Sequence, residues 1–305
     1  MINLAVLGLY LLIGFILKRT GKCPENTAQV LNLYVIYAAL PGVIFSKVPA
    51  LEFSTDLLIP VVIPWVLLVF SAVFIWLLGR AFKWPREVVG ALLICVPLGN
   101  TSFFGFPMIE AFYGSDAIVY GLLYDQFGSF FGLAIYSTIV IALYREQDDK
   151  PTVASVTRQI VTFPPFIALI IALLTKSLVY PEVFQRLIDS LAVTLVPVIM
   201  IAVGFQLKFR LPKGSKTPLT IGLLTKLVLM PLITVGLLYG FGFDSTLVQV
   251  TIFESAMPPM ITAGAVAIMA GLAPRLSAAM VGYGILFAFV SLPIVYQLLQ
   301  LLSAH

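Results

Sequence analysis

Cys95-Val96-Pro97-Leu98-Gly99-Asn100-Thr101-Ser102-Phe103-Phe104-Gly105-Phe106-Pro107 interrupts a hydrophobic segment otherwise long enough to cross a bilayer. In the second half of the chain, Glu254-Ser255-Ala256-Met257-Pro258-Pro259-Met260-Ile261-Thr262-Ala263-Gly264 does the same. Proline withdraws a backbone donor and glycine frees the chain to leave the helix. Both segments are therefore expected to break at membrane depth, where unpaired amides and carbonyls survive only inside protein or around a cavity. Two interrupted segments in matching positions of two halves point to the binding site of a secondary transporter.

The rest of the composition agrees with a bilayer setting. The chain has 305 residues, 60% of them hydrophobic and 10% charged, with a mean hydropathy of +1.06. That is too apolar for a soluble domain and too long for one anchor. A net charge of +4 invites a nucleic-acid or acidic-lipid partner, but the positions of the charges give a simpler account. Ten apolar runs fit spans at about 2–17, 27–48, 57–79, 87–111, 115–144, 159–180, 187–207, 218–240, 245–272 and 277–301. Loops after the odd spans carry 14 Lys and Arg, and those after the even spans only Lys47, Lys176 and Arg186. This asymmetry puts the odd loops in the cytoplasm and both termini outside. The first span reads as retained rather than as a signal peptide, because its positive charges follow the apolar run. Cys23 in a loop and Cys95 in a span are expected to be unbridged. The sequon at Asn100 lies at membrane depth and is no glycan acceptor.

The hydrophilic stretch 145–158 is expected to be a cytoplasmic linker between two five-helix halves, 1–144 and 159–305. Two homologous halves with an odd number of spans must sit in opposite orientations, which makes an inverted repeat. Leu40-Pro41-Gly42 echoes Val196-Pro197-Val198, and the break in span 4 echoes the break in span 9.

With the Pro-Leu-Gly-Asn-Thr-Ser-x-x-Gly-x-Pro run at 97–107 and the Ala-Met-Pro-Pro run at 256–259, the chain resembles the bacterial branch of the auxin efflux carrier family. That family stands with the bile-acid, arsenite and riboflavin transporters. The resemblance covers the whole chain and implies an all-α protein of ten helices, with spans 4 and 9 crossing at their breaks. It also implies that Asn100 lies at the substrate site, that spans 3–5 and 8–10 carry the crossing, and that spans 1, 2, 6 and 7 form a panel. The location it implies is the bacterial inner membrane. The long cytoplasmic loop of many plant members is absent.

Half-helix N-termini offer free N–H groups and a positive dipole end to a carboxylate. Asn100, Thr101, Ser102 and Thr262 are capping types just past the breaks, and with Gly99 and Met260 they are the candidate substrate contacts; the other reading is that they only cap kinked helices. Pro97, Pro107, Pro258 and Pro259 are assigned to making the crossing. Asp125, Lys226 and Glu254 fall inside spans, where an unpaired charge costs about 2.5–3.5 kcal/mol on the translocon scale. Lys226 and Glu254 come out at similar depths, about 12 Å from opposite faces. They read either as a direct or water-bridged pair, or as a snorkelling lysine and a local cap. Asp125, with Gln126 beside it, reads as a proton site or as a structural carboxylate.

Gly128-x-x-x-Gly132 and Gly236-x-x-x-Gly240 suggest close helix packing, and Trp65, Trp76 and Trp84 suggest interfacial anchors. No phosphate loop, zinc spacing or nucleophile motif argues for an enzyme, a cofactor or a metal. The function expected is secondary transport of a small organic anion, a mono- or dicarboxylate of auxin-like or malonate-like kind, coupled to H+ or uncoupled. A sodium-coupled symporter of the bile-acid type and a non-transporting membrane receptor are the alternatives. The expected partners are that anion and the bilayer, with a homodimer left open and nucleic acid excluded.

Overall fold

The computed structural model describes residues 2–144, 153–207 and 216–303. Among them the structure is helical, and its β pairing is a single isolated bridge. In chain order the α-helices are α1 (Ile2–Thr20), α2 (Thr27–Tyr34), α3 (Leu40–Lys47), α4 (Leu58–Ala81), α5 (Arg86–Cys95), α6 (Phe106–Tyr113), α7 (Ile118–Tyr124) and α8 (Ser137–Tyr144). They are followed by α9 (Val153–Val161), α10 (Pro164–Leu174), α11 (Glu182–Ala192), α12 (Leu195–Gln206), α13 (Lys216–Leu224), α14 (Met230–Gly240), α15 (Thr246–Ser255), α16 (Ile261–Met269) and α17 (Pro274–Ser303). Turns of π-helix at Val35–Ala39, Asp125–Phe130, Gly132–Tyr136 and Thr225–Leu229 lie within longer helical runs, and another, Thr101–Gly105, precedes α6.

Against the ten spans expected, the fourth and ninth of them broken, seven helical runs among the described residues are long and apolar enough to cross a membrane, or eight when the bent pair of α9 and α10 counts as one. The remaining two expected spans, 87–111 and 245–272, are each divided into shorter helices by non-helical residues 96–100 and 256–260. The prolines and glycines there stop α-helix from propagating. Residues 145–152 of the expected linker lie outside the described residues. Its remainder is already helical as the start of α9, which meets α10 at 58° before Pro164 and Pro165.

Two compact units emerge, each drawing on both halves of the chain. The first comprises Met1–Thr55, Ser102–Leu122 and Thr157–Leu207; the second comprises Asp56–Thr101, Leu123–Val156 and Lys208–His305. In the first unit α1 lies along α12 with the backbones touching. A methyl group on Gly14 would stand 2.0 Å from the Ile201 carbonyl oxygen, and one on Gly204 would stand 2.0 Å from that of Leu11. Without a hydrophobic drive between helices in lipid, such small-residue contacts supply the packing. The Tyr34 and Thr194 hydroxyls, 2.8 Å apart, tie the end of α2 to the joint between α11 and α12.

In the second unit Pro64, inside α4, fits against Gly128, whose added Cβ would stand 2.3 Å from the Pro64 Cγ. Trp65 Nε1 donates to the Phe127 carbonyl at 2.9 Å within the π turn, so this indole is an internal tie rather than an interfacial anchor. Trp76 lies under Arg80 and Trp84 stacks on Phe82. Gly132 packs against Leu68 and Leu98, but Gly236 and Gly240 face open space, so only the first small-residue motif packs as expected.

Candidate functional site

The two breaks meet inside the second unit. Gly99 and Pro259 face each other as an antiparallel bridge, with Asn100 N–H donating to the Pro258 carbonyl at 2.8 Å and Met260 N–H to the Leu98 carbonyl at 2.9 Å. Each break thereby satisfies part of what the other exposes. Pro259 occupies the non-hydrogen-bonded position of the bridge, where its missing donor costs nothing. Close approach is permitted by absent side chains. A Cβ on Gly284 would stand 2.5 Å from the Pro259 Cδ, and one on Gly99 would stand 3.0 Å from the Lys226 Nζ.

Around the crossing lie the three ionisable residues singled out by the sequence. Asp125 and Lys226 are each 3% exposed and Glu254 is fully buried. The Thr101 hydroxyl donates to Asp125 Oδ1 at 2.6 Å, and Gln126 Nε2 donates to Asp125 Oδ2 at 2.8 Å. Lys226, on the π turn Thr225–Leu229, donates to the Ser255 carbonyl at 3.4 Å, a long contact at the C-terminal end of α15. That carbonyl end carries partial negative charge and suits an ammonium. Lys226 therefore does not snorkel. Nor does it pair directly with Glu254, although the charges of Asp125 and Lys226 both act on that carboxyl. Both carboxyl oxygens of Glu254, the Gln126 Oε1 and the Asn100 Nδ2 are buried without a hydrogen-bond partner among the described residues. Orphaned polar atoms of this kind cost about 1–3 kcal/mol each, so four in one neighbourhood mark a place built for something beyond packing.

The other candidates divide. The hydrogen bond given for the Thr101 side chain is a donation to Asp125, not the acceptance from a backbone N–H that a cap makes. The N-cap of α16 is Met260, without a side-chain bond, and Thr262 is exposed, so the expected capping by Thr262 is not made. Pro97 and Pro258 flank the bridge with Pro259, whereas Ser102 and Pro107 fall in the first unit, Pro107 in the opening turn of α6. A small cavity of about 10 Å³, lined by Pro64, Leu68, Pro97, Leu98, Gly99, Tyr124, Gly128 and Ser129, has room for about one water molecule. Cys23 and Cys95 are free thiols. Sequence reading missed the Lys226–Ser255 contact and the part played by Gly99 in admitting the lysine. Neither leaves a trace in hydropathy or motif spacing, since both depend on which break faces which helix.

Residues 1–296 match the family model described as membrane transport protein. An uncharacterized transporter of Methanothermobacter thermautotrophicus is 27% identical over 294 residues, which cover 95% of each chain. Another, from Methanocaldococcus jannaschii, is also 27% identical, over 260 residues covering 81% of this chain and 82% of its own. Read together with the paired breaks, the match over nearly the full length means that this chain belongs to the membrane transport protein family, that of the auxin efflux carriers.

Proposed function

We propose that the protein is a secondary active transporter of a small organic anion, a mono- or dicarboxylate, with the paired breaks as its substrate-binding element. The observation that carries this reading is the bridge at Gly99 and Pro259, which gathers a partnerless amide donor and three buried ionisable side chains in one unit. In the proposal the two divided segments are spans 4 and 9. With the eight membrane-length runs they make ten spans in two inverted repeats, both termini outside the inner membrane. Asn100 and the neighbouring backbone N–H groups meet the carboxylate. Losing a hydrogen bond to a charged group costs about 1.5–3 kcal/mol, so Asn100→Ala should weaken binding by roughly ten- to a hundredfold in a folded protein. A ligand-stabilisation screen over carboxylates, followed by titration of the best one, checks this. Unchanged affinity would remove Asn100 from the site.

Charge balance supports coupling. Asp125 and Glu254 bring two carboxylates and Lys226 one ammonium, so full ionisation leaves a net negative charge in a buried setting, which costs several kcal/mol. One proton on Glu254 or Asp125 removes that charge and can travel with each cycle. Glu254→Gln or Asp125→Asn is therefore expected to keep substrate counterflow in proteoliposomes and to lose accumulation driven by a pH gradient, because exchange needs no net proton movement. If both variants still accumulate substrate, neither carboxyl is the coupling group. The unpartnered oxygens of Glu254 and Gln126 would equally suit a hard cation, and accumulation that follows a sodium gradient would favour the bile-acid-type reading. Absence of any counterflow would leave a receptor.

A further inference from the structure

We infer that Lys47, bonded to Ser115 and Asp116, is a latch that holds the hairpin 102–122 to the rest of the first unit and opens once in each transport cycle. The inference rests on the inverted-repeat reading above and starts from an asymmetry that the reading does not explain. After the first break the chain runs through α6, a tight turn at Gly114 and most of α7, and this hairpin groups with the first unit. After the second break it runs through α16, a turn at Gly271 and into α17, and that counterpart groups with the second unit. Two copies of one repeat that keep different company are one repeat caught in two conformations. A permanent scaffold role for the hairpin gives no reason for the difference, because its counterpart should then share it.

The polar fastenings described for the hairpin are suited to release, beside a buried apolar side that includes Phe106, Met108 and Ile109. Lys47 Nζ donates to Asp116 Oδ1 at 2.8 Å and to Ser115 Oγ at 3.1 Å, and its charge also reaches Glu110 on α6. Asn3 Nδ2 donates to the Ala111 carbonyl at 3.3 Å, and α6 packs against α1 and α12. The Asp116 side chain is 98% exposed, and such solvent-facing pairs shift an equilibrium by about fivefold at most. A latch this weak holds without trapping. Release also needs compliance where the hairpin joins the chain, and its two ends run into the π-helical turns Thr101–Gly105 and Asp125–Phe130. π turns of this sort recur at functional sites, and in this proposal they supply the compliance. Thr101 and Asp125, the first residues of those turns, are bonded to each other, so the two hinges are pinned at one point.

The test uses the full-length protein in proteoliposomes, with Cys23→Ser and Cys95→Ala as background. In one variant Lys47→Cys and Asp116→Cys are joined by a short bis-methanethiosulfonate reagent, each thiolate displacing methanesulfinate to form a disulfide that a reductant reopens. A control joins Ser46→Cys to Asp189→Cys, positions on α3 and α11 of the first unit whose native side chains are 3.2 Å apart. Bridging 47 to 116 is expected to stop exchange of labelled malonate until a reductant is added, while the 46–189 bridge leaves exchange intact. Exchange at the control rate with 47 and 116 bridged overturns the latch. Hydrogen exchange supplies an arm that needs no substrate: Lys47→Ala should speed exchange of the amides in 106–122 by up to about fivefold, and the 47–116 bridge should slow it. If malonate is not carried even by the reduced protein, the choice of substrate fails, and unaltered amide exchange in both variants would still overturn the latch by itself.

Discussion

Lys226→Met should destabilise the protein by about 3–5 kcal/mol, and adding Glu254→Gln should restore most of the loss. The side chains have similar lengths, so packing on the π turn Thr225–Leu229 is largely kept. What disappears is the only cation described among the buried residues around the crossing. Asp125 retains Thr101 and Gln126 as donors, but Glu254 has no hydrogen bond, so Lys226 is the favourable charge acting on it. Although the two groups share no hydrogen bond, removing the ammonium leaves an ionised Glu254 buried and uncompensated, which costs several kcal/mol. Neutralising Glu254 removes that penalty, and the rescue is the diagnostic part of the cycle. Unfolding of the single and double variants in mixed detergent micelles measures it. Equal losses in both would mean that Lys226 acts through packing alone.

Gly14→Leu should cost about 3 kcal/mol or more and sharply lower the yield of folded protein, with Gly204→Leu behaving alike. Even a methyl group at either position would come within 2.0 Å of a carbonyl oxygen on the facing helix, and a backbone cannot move aside as a flexible side chain does. α1 and α12 would have to separate over their whole contact. Gly8, on the same helix with nothing within 4 Å of an added Cβ, is the control, and Gly8→Leu should be nearly neutral. Thermal stability of the three variants decides the matter; a Gly14→Leu protein as stable as Gly8→Leu would show that α1 is not held by this crossing.

The breaks were legible because proline and glycine cluster there: Pro97 with Gly99, and Pro258 with Pro259, end α-helix where a lone Pro64 inside α4 does not. The buried charges were legible for a related reason, since Asp125, Lys226 and Glu254 stand out in apolar runs. Partnership was not. Depth along two helices put Lys226 within roughly 6 Å of Glu254 along the bilayer normal, but rotation about each axis decides what a side chain meets, and the lysine meets the Ser255 carbonyl instead. Capping by Thr262 failed for a similar reason, because the extended backbone already ends at Met260, two residues before Thr262, and makes Met260 the cap. Trp65 read as an anchor by composition, whereas the Phe127 carbonyl it bonds lies in a π turn that no motif announces.

Those π turns have a consequence for comparing this chain with its relatives. A turn closed from residue i to i+5 takes up one more residue than an α turn covering the same path. Val35–Ala39, Asp125–Phe130, Gly132–Tyr136 and Thr225–Leu229 are therefore places where the chain carries a surplus residue inside a continuous helix. Elsewhere a one-residue deletion would rotate everything beyond it by about 100° and turn the buried face outward. At these four places it would only convert a π turn to an α turn and leave both flanks in register. Gaps of one residue in alignments with relatives belong there, and a gap beside Asp125 or Lys226 records gain or loss of the local bulge that aims the charge, not drift in a loop.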